Sequence, residues 1–365
     1  MKKIIIPIIF LLVGSSFVTY SFLDSFIIPK NAKKVNFSNN DFFNESSSPI
    51  NVSSSFNDQS QMSSSIEPSS EHVTDLSVYY EDLSKEEIDA LFTPEVVFEE
   101  RKHYSDPDIY IDITTHRNAD DTTTYYVADI RLKELKYFKT ALANDTFGEN
   151  VEERTSDICK RNKGILAING DYYGAQEAGY VVRNGKVLRS SVSRSHGQNS
   201  RAKAEDLAIY RDGTFEIFSE KEVSLDTIVN KGAWQVFSFG PGLIKEGKIA
   251  VSEKEEVGTA LAEGKNQRTA IGIISPLHYV FVVNDGRLTN ERGMPLFELA
   301  NIMKDLHCYN AYNLDGGGSS TMYFDDGTGN ANGYGHLINK PTQNVYGSTG
   351  AIEQRTVSDI VYIGK

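Results

Sequence analysis

Over residues 101–365 apolar side chains recur at every second position in run after run. This period restricts the chain to a fold built mainly of sheet. The runs 108–114 and 124–132 alternate and predict strands. Asn184-Gly185 and Asp212-Gly213 lie between such runs as tight hairpin turns, because both dipeptides accept positive φ. The runs 268–274 and 278–283 flank Ser275-Pro276 as another hairpin. Helices are expected at 153–161 and 295–306, the second with Leu296, Leu299, Ile302, Met303 and Leu306 on one face. The expected class is α+β, with a mixed, mainly antiparallel sheet core and a few flanking helices.

The first hundred residues differ in composition. Residues 4–23 form an uncharged, apolar-leaning run behind Lys2 and Lys3. At about 1.5 Å per residue such a helix crosses a hydrocarbon core of roughly 30 Å. The run is long for a secretory signal and no small-x-small cleavage site follows, so 1–30 reads as a membrane anchor, with a cleaved signal as the alternative. The two lysines keep that end cytoplasmic, which makes the chain single-pass with its bulk extracellular, or secreted if the segment is cleaved. Residues 31–76 read as a disordered linker, because 46–70 holds twelve serines and too few apolar residues to offset ordering entropy. Ser84-Lys-Glu-Glu87 is a capping box, and Thr93-Pro94 ends the short helix that it opens, so 77–100 is a helical segment before a domain at 101–365.

Of the formal net charge of −13, residues 31–100 contribute −11, from three Lys against fourteen Asp and Glu. Residues 1–30 contribute +2, which leaves −4 on 101–365. No basic surplus is available for phosphate neutralisation, so nucleic acid is not an expected partner. Two cysteines exclude a disulfide-dense fold and a four-Cys zinc site, and the seven histidines show no ligand spacing. His196, in Ser193-Arg-Ser-His-Gly197, reads as a loop residue, and 325–330 as a surface turn without the EF-hand's closing Glu. Cys159 and Cys308 each precede one of two similar strands; a disulfide and two free thiols both stay open.

Those strands end alike, as Ala167-Ile-Asn-Gly-Asp171 and Ala311-Tyr-Asn-Leu-Asp315. Asn and Asp at spacing two share one side of an extended chain. The first copy continues as Tyr172-Tyr-Gly174, the second as Gly316-Gly-Gly-Ser-Ser-Thr321. A carboxylate at a strand end beside a flexible loop suits a ligand site, although either copy alone also reads as an Asx turn. Successive glycines let backbone amides converge on an anion, and Ser319 and Ser320 add hydroxyl donors. The run is neither a nucleotide P-loop nor a nucleophile elbow.

Four motifs then occur in order: Asn169-Gly-Asp-Tyr-Tyr173, Phe239-Gly-Pro-Gly-Leu-Ile-Lys-Glu-Gly247, Arg268-Thr-Ala-Ile-Gly272 and Asn313-Leu-Asp-Gly-Gly-Gly-Ser-Ser-Thr321. Together they resemble the phosphodiester glycosidase family, and Asn339-Lys-Pro341 with Arg355-Thr-Val357 is similar to its C-terminal segment. The resemblance covers roughly 105–365. It implies a hydrolase that cleaves the anomeric bond of sugar-1-phosphodiesters, of the GlcNAc-1-phosphodiester kind, in cell-surface or extracellular phosphoglycans. No cofactor is required by this reading, and a divalent cation such as calcium stays open. A phosphate monoester leaves easily, so two symmetric carboxylates are less necessary than in ordinary glycosidases. On this reading Asp315 and Asp171 flank the anomeric carbon. Arg268 grips the phosphate with the amides of Gly316, Gly317 and Gly318, although a buried Arg equally pairs a structural carboxylate. Asn169 and Asn313 bond sugar hydroxyls. Gly170, Ser319 and Ser320 complete the substrate side, with Asp285 and Arg355 as further candidates that also read as structural. Two other classes remain: a non-catalytic phosphoglycan-binding module and a metal-dependent phosphodiesterase that cuts P–O.

Overall fold

The computed structural model describes residues 19, 23, 27–37, 83–99, 101–192, 205–253, 264–325, 335–342 and 352–365. The anchor expected over 4–23, most of the expected linker and the His196 loop lie outside these residues. Among the described residues no helix is long and apolar enough to cross a membrane.

Two sheets form the core. A nine-stranded sheet runs Lys248–Ile249, Gly242–Lys245, Asn310–Asn313, Thr269–Ser275, His278–Asn284, Thr124–Leu132, Ile109–Arg117, His103–Ser105 and Val97–Glu99. A five-stranded sheet runs His336–Leu337, Met322–Phe324, Leu166–Asn169, Asp359–Ile363 and Phe138–Leu142. A second five-stranded sheet contains Val181–Arg183, Glu205–Tyr210 and Ala233–Phe237. Every pair of described strands in these sheets is antiparallel, so the parallel component of the expected mixed sheet is not found among them. Period two explains the layering. Ile271, Ile273, Phe281 and Val283 face the main core with Leu166, Ile168 and Val361 of the neighbouring sheet. Ala270, Val280 and Val282 face the other way, against Leu296, Leu299, Ala300 and Met303 of the helix Leu296–Asp305. His278–Asn284 is therefore buried at every residue, as expected of a strand covered on both faces.

The capping box forms as expected, with Ser84 and Glu87 bonding reciprocally at 2.8 and 3.3 Å at the start of Lys85–Leu91. The helix expected from 153 starts instead at Thr155, because Glu153 and Arg154 pair in a ribbon with Thr356–Val357. A short helix at Leu225–Asn230 was not expected; six residues are too few for a periodic signal. Cys159 and Cys308 are free, buried thiols in separate clusters.

One described segment departs from the linker reading. Lys30–Lys34 forms a strand against Thr146–Glu149, and the Val35 amide donates to the Asp145 carbonyl at 2.8 Å. Val35 packs with Leu142, Tyr173 and Val181, with Phe37 beside them. Two apolar side chains suffice to seat a short strand, and the polar average over 31–76 conceals them. Val35→Ala should therefore cost about 1–3 kcal/mol in thermal unfolding, and deletion of 27–37 more. A free tether would show neither effect.

Candidate active site

The two similar strand ends meet where the nine-stranded sheet adjoins its five-stranded neighbour. Asn169 makes the junction. Its Nδ2 donates to the carbonyls of Asp315 (2.8 Å) and Gly170 (3.2 Å), and its Oδ1 accepts from Thr269 Oγ1 (2.8 Å) and the Thr321 amide (3.2 Å). The Asp315 amide returns a bond to the Gly170 carbonyl at 3.3 Å. Asn169 is wholly buried and its amide is saturated, so the sugar contact expected of it is replaced by a clamp between loops. Asn313 is also buried and donates to the Gly240 carbonyl at 2.9 Å, while its Oδ1 has no protein partner.

Asp315 is the less enclosed of the two carboxylates: it is half-buried where Asp171 is buried, and its Oδ1 accepts from the Gly316 amide at 2.8 Å. Burial pushes its carboxyl up to about 6, against the pull of the Ser319 hydroxyl, Arg355 and the Gly316 amide, while Asp171 repels it further. Tyr172, 40% exposed, stands close enough for Asp315 and Arg355 to act on its phenol.

The glycine loop works differently from the expected amide cradle. Gly316 donates to Asp315 and Gly317 to the Gln267 carbonyl, while Ser319 and Ser320 donate to the carbonyls of Gly316 and Gly317. Two of the three glycine amides expected in the cradle, those of Gly316 and Gly317, are thus turned inward. Gly317 has φ +63°, and a Cβ there would stand 2.7 Å from Arg287 Nη2; at Gly318 it would stand 3.1 Å from Arg355 Nε. The glycines thus admit two guanidinium groups against one loop. Arg355 is half-buried; the contact described for its side chain is Ser319 Oγ at 3.5 Å, and among the described residues no carboxylate lies within ion-pair distance. Ser319 and Ser320 are themselves buried.

Arg268 is placed otherwise than expected. Its Nε donates to the Met294 carbonyl (3.1 Å) and its Nη2 to that of Gly264 (3.2 Å), so the arginines against the glycine loop are Arg287 and Arg355. Asp285 is fully buried, accepting from the Lys340 amide at 2.6 Å and Tyr126 Oη at 3.1 Å, and burial pushes it up to about 6. It is a strut for 339–341.

Asp171 turns into the protein. Its Oδ1 accepts from the Tyr173 amide (3.1 Å), its Oδ2 from that of Ser238 (3.0 Å), and Arg183 Nη2 lies 2.9 Å from Oδ2. Arg183 Nε in turn donates to Asp359 Oδ2 at 2.7 Å. The expected pair of carboxylates around an anomeric carbon thus reduces to Asp315, with Asp171 held behind it. Sequence reasoning missed Arg183, Asp359 and Arg287. A charged residue within an apolar run, as in Val181-Val-Arg183 and Asp359-Ile-Val361, is the signal that marks a buried pair. Among the described residues no three His, Cys, Asp or Glu side chains are grouped to hold a metal ion.

Residues 162–364 match the family described as phosphodiester glycosidase. An SPbeta prophage-derived uncharacterized protein of Bacillus subtilis, YomE, is 28% identical over 48% of this chain and 26% of its own length. The mouse N-acetylglucosamine-1-phosphodiester alpha-N-acetylglucosaminidase is 30% identical over 43% of this chain and 31% of that protein. The chain thus spans under a third of the length of these relatives. The zebrafish catalytic domain of the same name, auto-inhibited by its pro-peptide, aligns at TM-score 0.55 with 22% identity, covering 74% of this chain and 88% of that one. That likeness is one of fold.

Gly317→Ala should cost about 1–3 kcal/mol in denaturant unfolding, from a side chain forced to positive φ and the displaced Arg287. An unchanged midpoint would remove the steric reason for glycine there.

Proposed function

The chain belongs to the phosphodiester glycosidase family, and on that premise we propose that it hydrolyses the anomeric C–O bond of a sugar-1-phosphodiester, with GlcNAc-1-phosphodiesters as the first substrates to try. The observation that carries this reading is one half-buried carboxylate close to one arginine that has no carboxylate within ion-pair distance among the described residues, on a loop that glycines keep open to it. Asp315, with its raised carboxyl, accepts a proton from water near neutral pH. Water oxygen bonds to C1, the C1–O bond breaks, and its electrons leave with the phosphate monoester. That leaving group has a second pKa of about 6 and departs without a general acid. Arg355, aided by Arg287, neutralises the phosphate. Tyr172 offers an exposed aromatic face to the sugar. The names of the relatives support GlcNAc as the sugar. The apolar run 4–23 supports an anchored or secreted enzyme that acts outside the cell on phosphoglycans.

Asp315→Asn should lower kcat on a GlcNAc-1-phosphodiester by about 10²–10⁴-fold, read as released sugar. Because the working form of Asp315 is ionised, wild-type kcat/KM should hold above pH 6 and fall as pH drops through about 6. Hydrolysis in ¹⁸O-water should label the sugar. Label in the phosphate would favour a phosphodiesterase, and binding without turnover a lectin-like module.

Arg355→Met should raise KM for the phosphodiester at least about tenfold, with Arg355→Lys restoring it only in part. Equal KM values in all three proteins would take the phosphate off this arginine.

A further inference from the structure

Arg183 is the largest side chain among those fully buried, and it is surrounded by the segments that carry the site. Its Nε and Nη2 reach Asp359 and Asp171 at 2.7 and 2.9 Å, and its Nη1 donates to the carbonyls of Val182 (3.0 Å) and Val236 (2.5 Å). The Phe237 ring lies 4.3 Å from the guanidinium and the Tyr173 ring 5.7 Å. Three charged groups without solvent are expensive, and apolar residues of similar volume hold such a place at equal or lower cost. Asp359 Oδ1 lacks a hydrogen-bond partner, and Arg183 Nη2 meets Asp171 as an ion pair without hydrogen-bond alignment. Stability alone does not account for the cluster. Its connections do.

Each group of the site is a short covalent or hydrogen-bonded step from it. Tyr172 follows Asp171. The Asp359 carbonyl accepts from the Gly170 amide at 2.9 Å, and the Gly170 carbonyl accepts from the Asp315 amide at 3.3 Å. Gly170 must be glycine, because a Cβ there would collide with the Asp359 carboxylate. Arg355 lies four residues before Asp359, on a segment fixed where the Ser358 carbonyl accepts from the Ala143 amide (2.8 Å) and Tyr173 Oη (3.1 Å).

We propose that Arg183, gripping Asp171 and Asp359, is a positioning residue of this active site: one buried guanidinium sets Asp315, Tyr172 and Arg355 in register, and Asp171, which it pairs, acts on Asp315 through space. The role rests on the reading of Asp315 as the base. Asp359 faces Arg183, Asp171, Asp315 and Tyr173; burial pushes its carboxyl up, Arg183 pulls it down, and Asp171 and Asp315 repel it. Asp315 faces Ser319, Arg355, Asp171 and Tyr172. Burial raises the Asp315 carboxyl most and repulsion from Asp171 raises it further, whereas Asp359, pushed up more strongly than Asp315, bears on it through the backbone bonds of Gly170.

The test uses the full chain and two readouts, carboxyl ¹³C NMR titration of Asp315 and steady-state kinetics. Asp171→Asn, isosteric and with an oxygen still available to Arg183, should move the Asp315 midpoint to lower pH from about 6. It should also lower kcat roughly tenfold with KM within about twofold. Arg183→Lys keeps the charge but not the fork and should lose roughly a hundredfold in kcat. Asp359→Asn is the second isosteric variant, expected to lower kcat similarly while the Asp315 midpoint stays at about 6. The proposal is overturned if the midpoint stays put in Asp171→Asn, or if activity in either isosteric variant falls only in proportion to the folded fraction. A wild-type protein without turnover would sink the glycosidase reading, while the NMR titration would still decide whether the cluster acts on Asp315.

Discussion

The saturated amide of Asn169 is the interaction on which the site depends. It ties the end of one sheet to the loop of the other through carbonyls and amides that would otherwise be buried without partners. Two sheets that meet edge to end leave a row of unpaired backbone groups, and a side chain with two donors and two acceptors is the smallest group that satisfies both sides. Once that clamp is set, Asp315 and the glycine loop have little freedom. Their placement follows from the sheets rather than from a flexible loop, which suits a group that must hold a reacting atom within fractions of an ångström.

Electrostatics near the clamp divide into an inner and an outer layer. Within, Arg183 is paired with two carboxylates and cannot reach a ligand. Outside, Arg355 lacks a carboxylate within ion-pair distance among the described residues and borders solvent. The inner layer spends its charge on geometry, and the outer layer keeps its charge for an anion. A domain with a net charge near −4 can therefore still present local positive potential, because Asp171 and Asp359 are turned inward onto Arg183.

Much of this was legible in the sequence where a local rule applies. Alternation gave away the strands, Ser84 and Glu87 the capped helix, and the repeated Ala-apolar-Asn-x-Asp ending the two segments that meet. What was not legible depends on direction across space. Asp171 and Asp315 occupy the same place in the repeat, yet one pairs with Arg183 and the other lies against the glycine loop, because only the first lies against the sheet that carries Val181–Arg183. Arg268 has the strongest motif context, but its guanidinium is drawn to the carbonyls of Gly264 and Met294. Arg287 was hidden because the residue that identifies it, Gly317, lies thirty positions away.

The same contrast applies to the acidic run before the domain. A tether requires one end free of the body that it carries. Phe37, on one side of 38–82, packs beside Val35 and Tyr173, and Leu83, on the other side, packs on the main core. Both flanks thus belong to the domain. If 4–23 crosses a bilayer, only six residues separate it from the strand that starts at Lys30, a reach of at most about 25 Å for an extended chain. The −11 carried by 31–100 thus lies on a stretch whose described flanks, at Phe37 and Leu83, both pack on the domain. On that geometry the distance of the site from the membrane is governed by the Lys30–Lys34 strand and its bonds to Thr146–Glu149, not by the length of the serine-rich run.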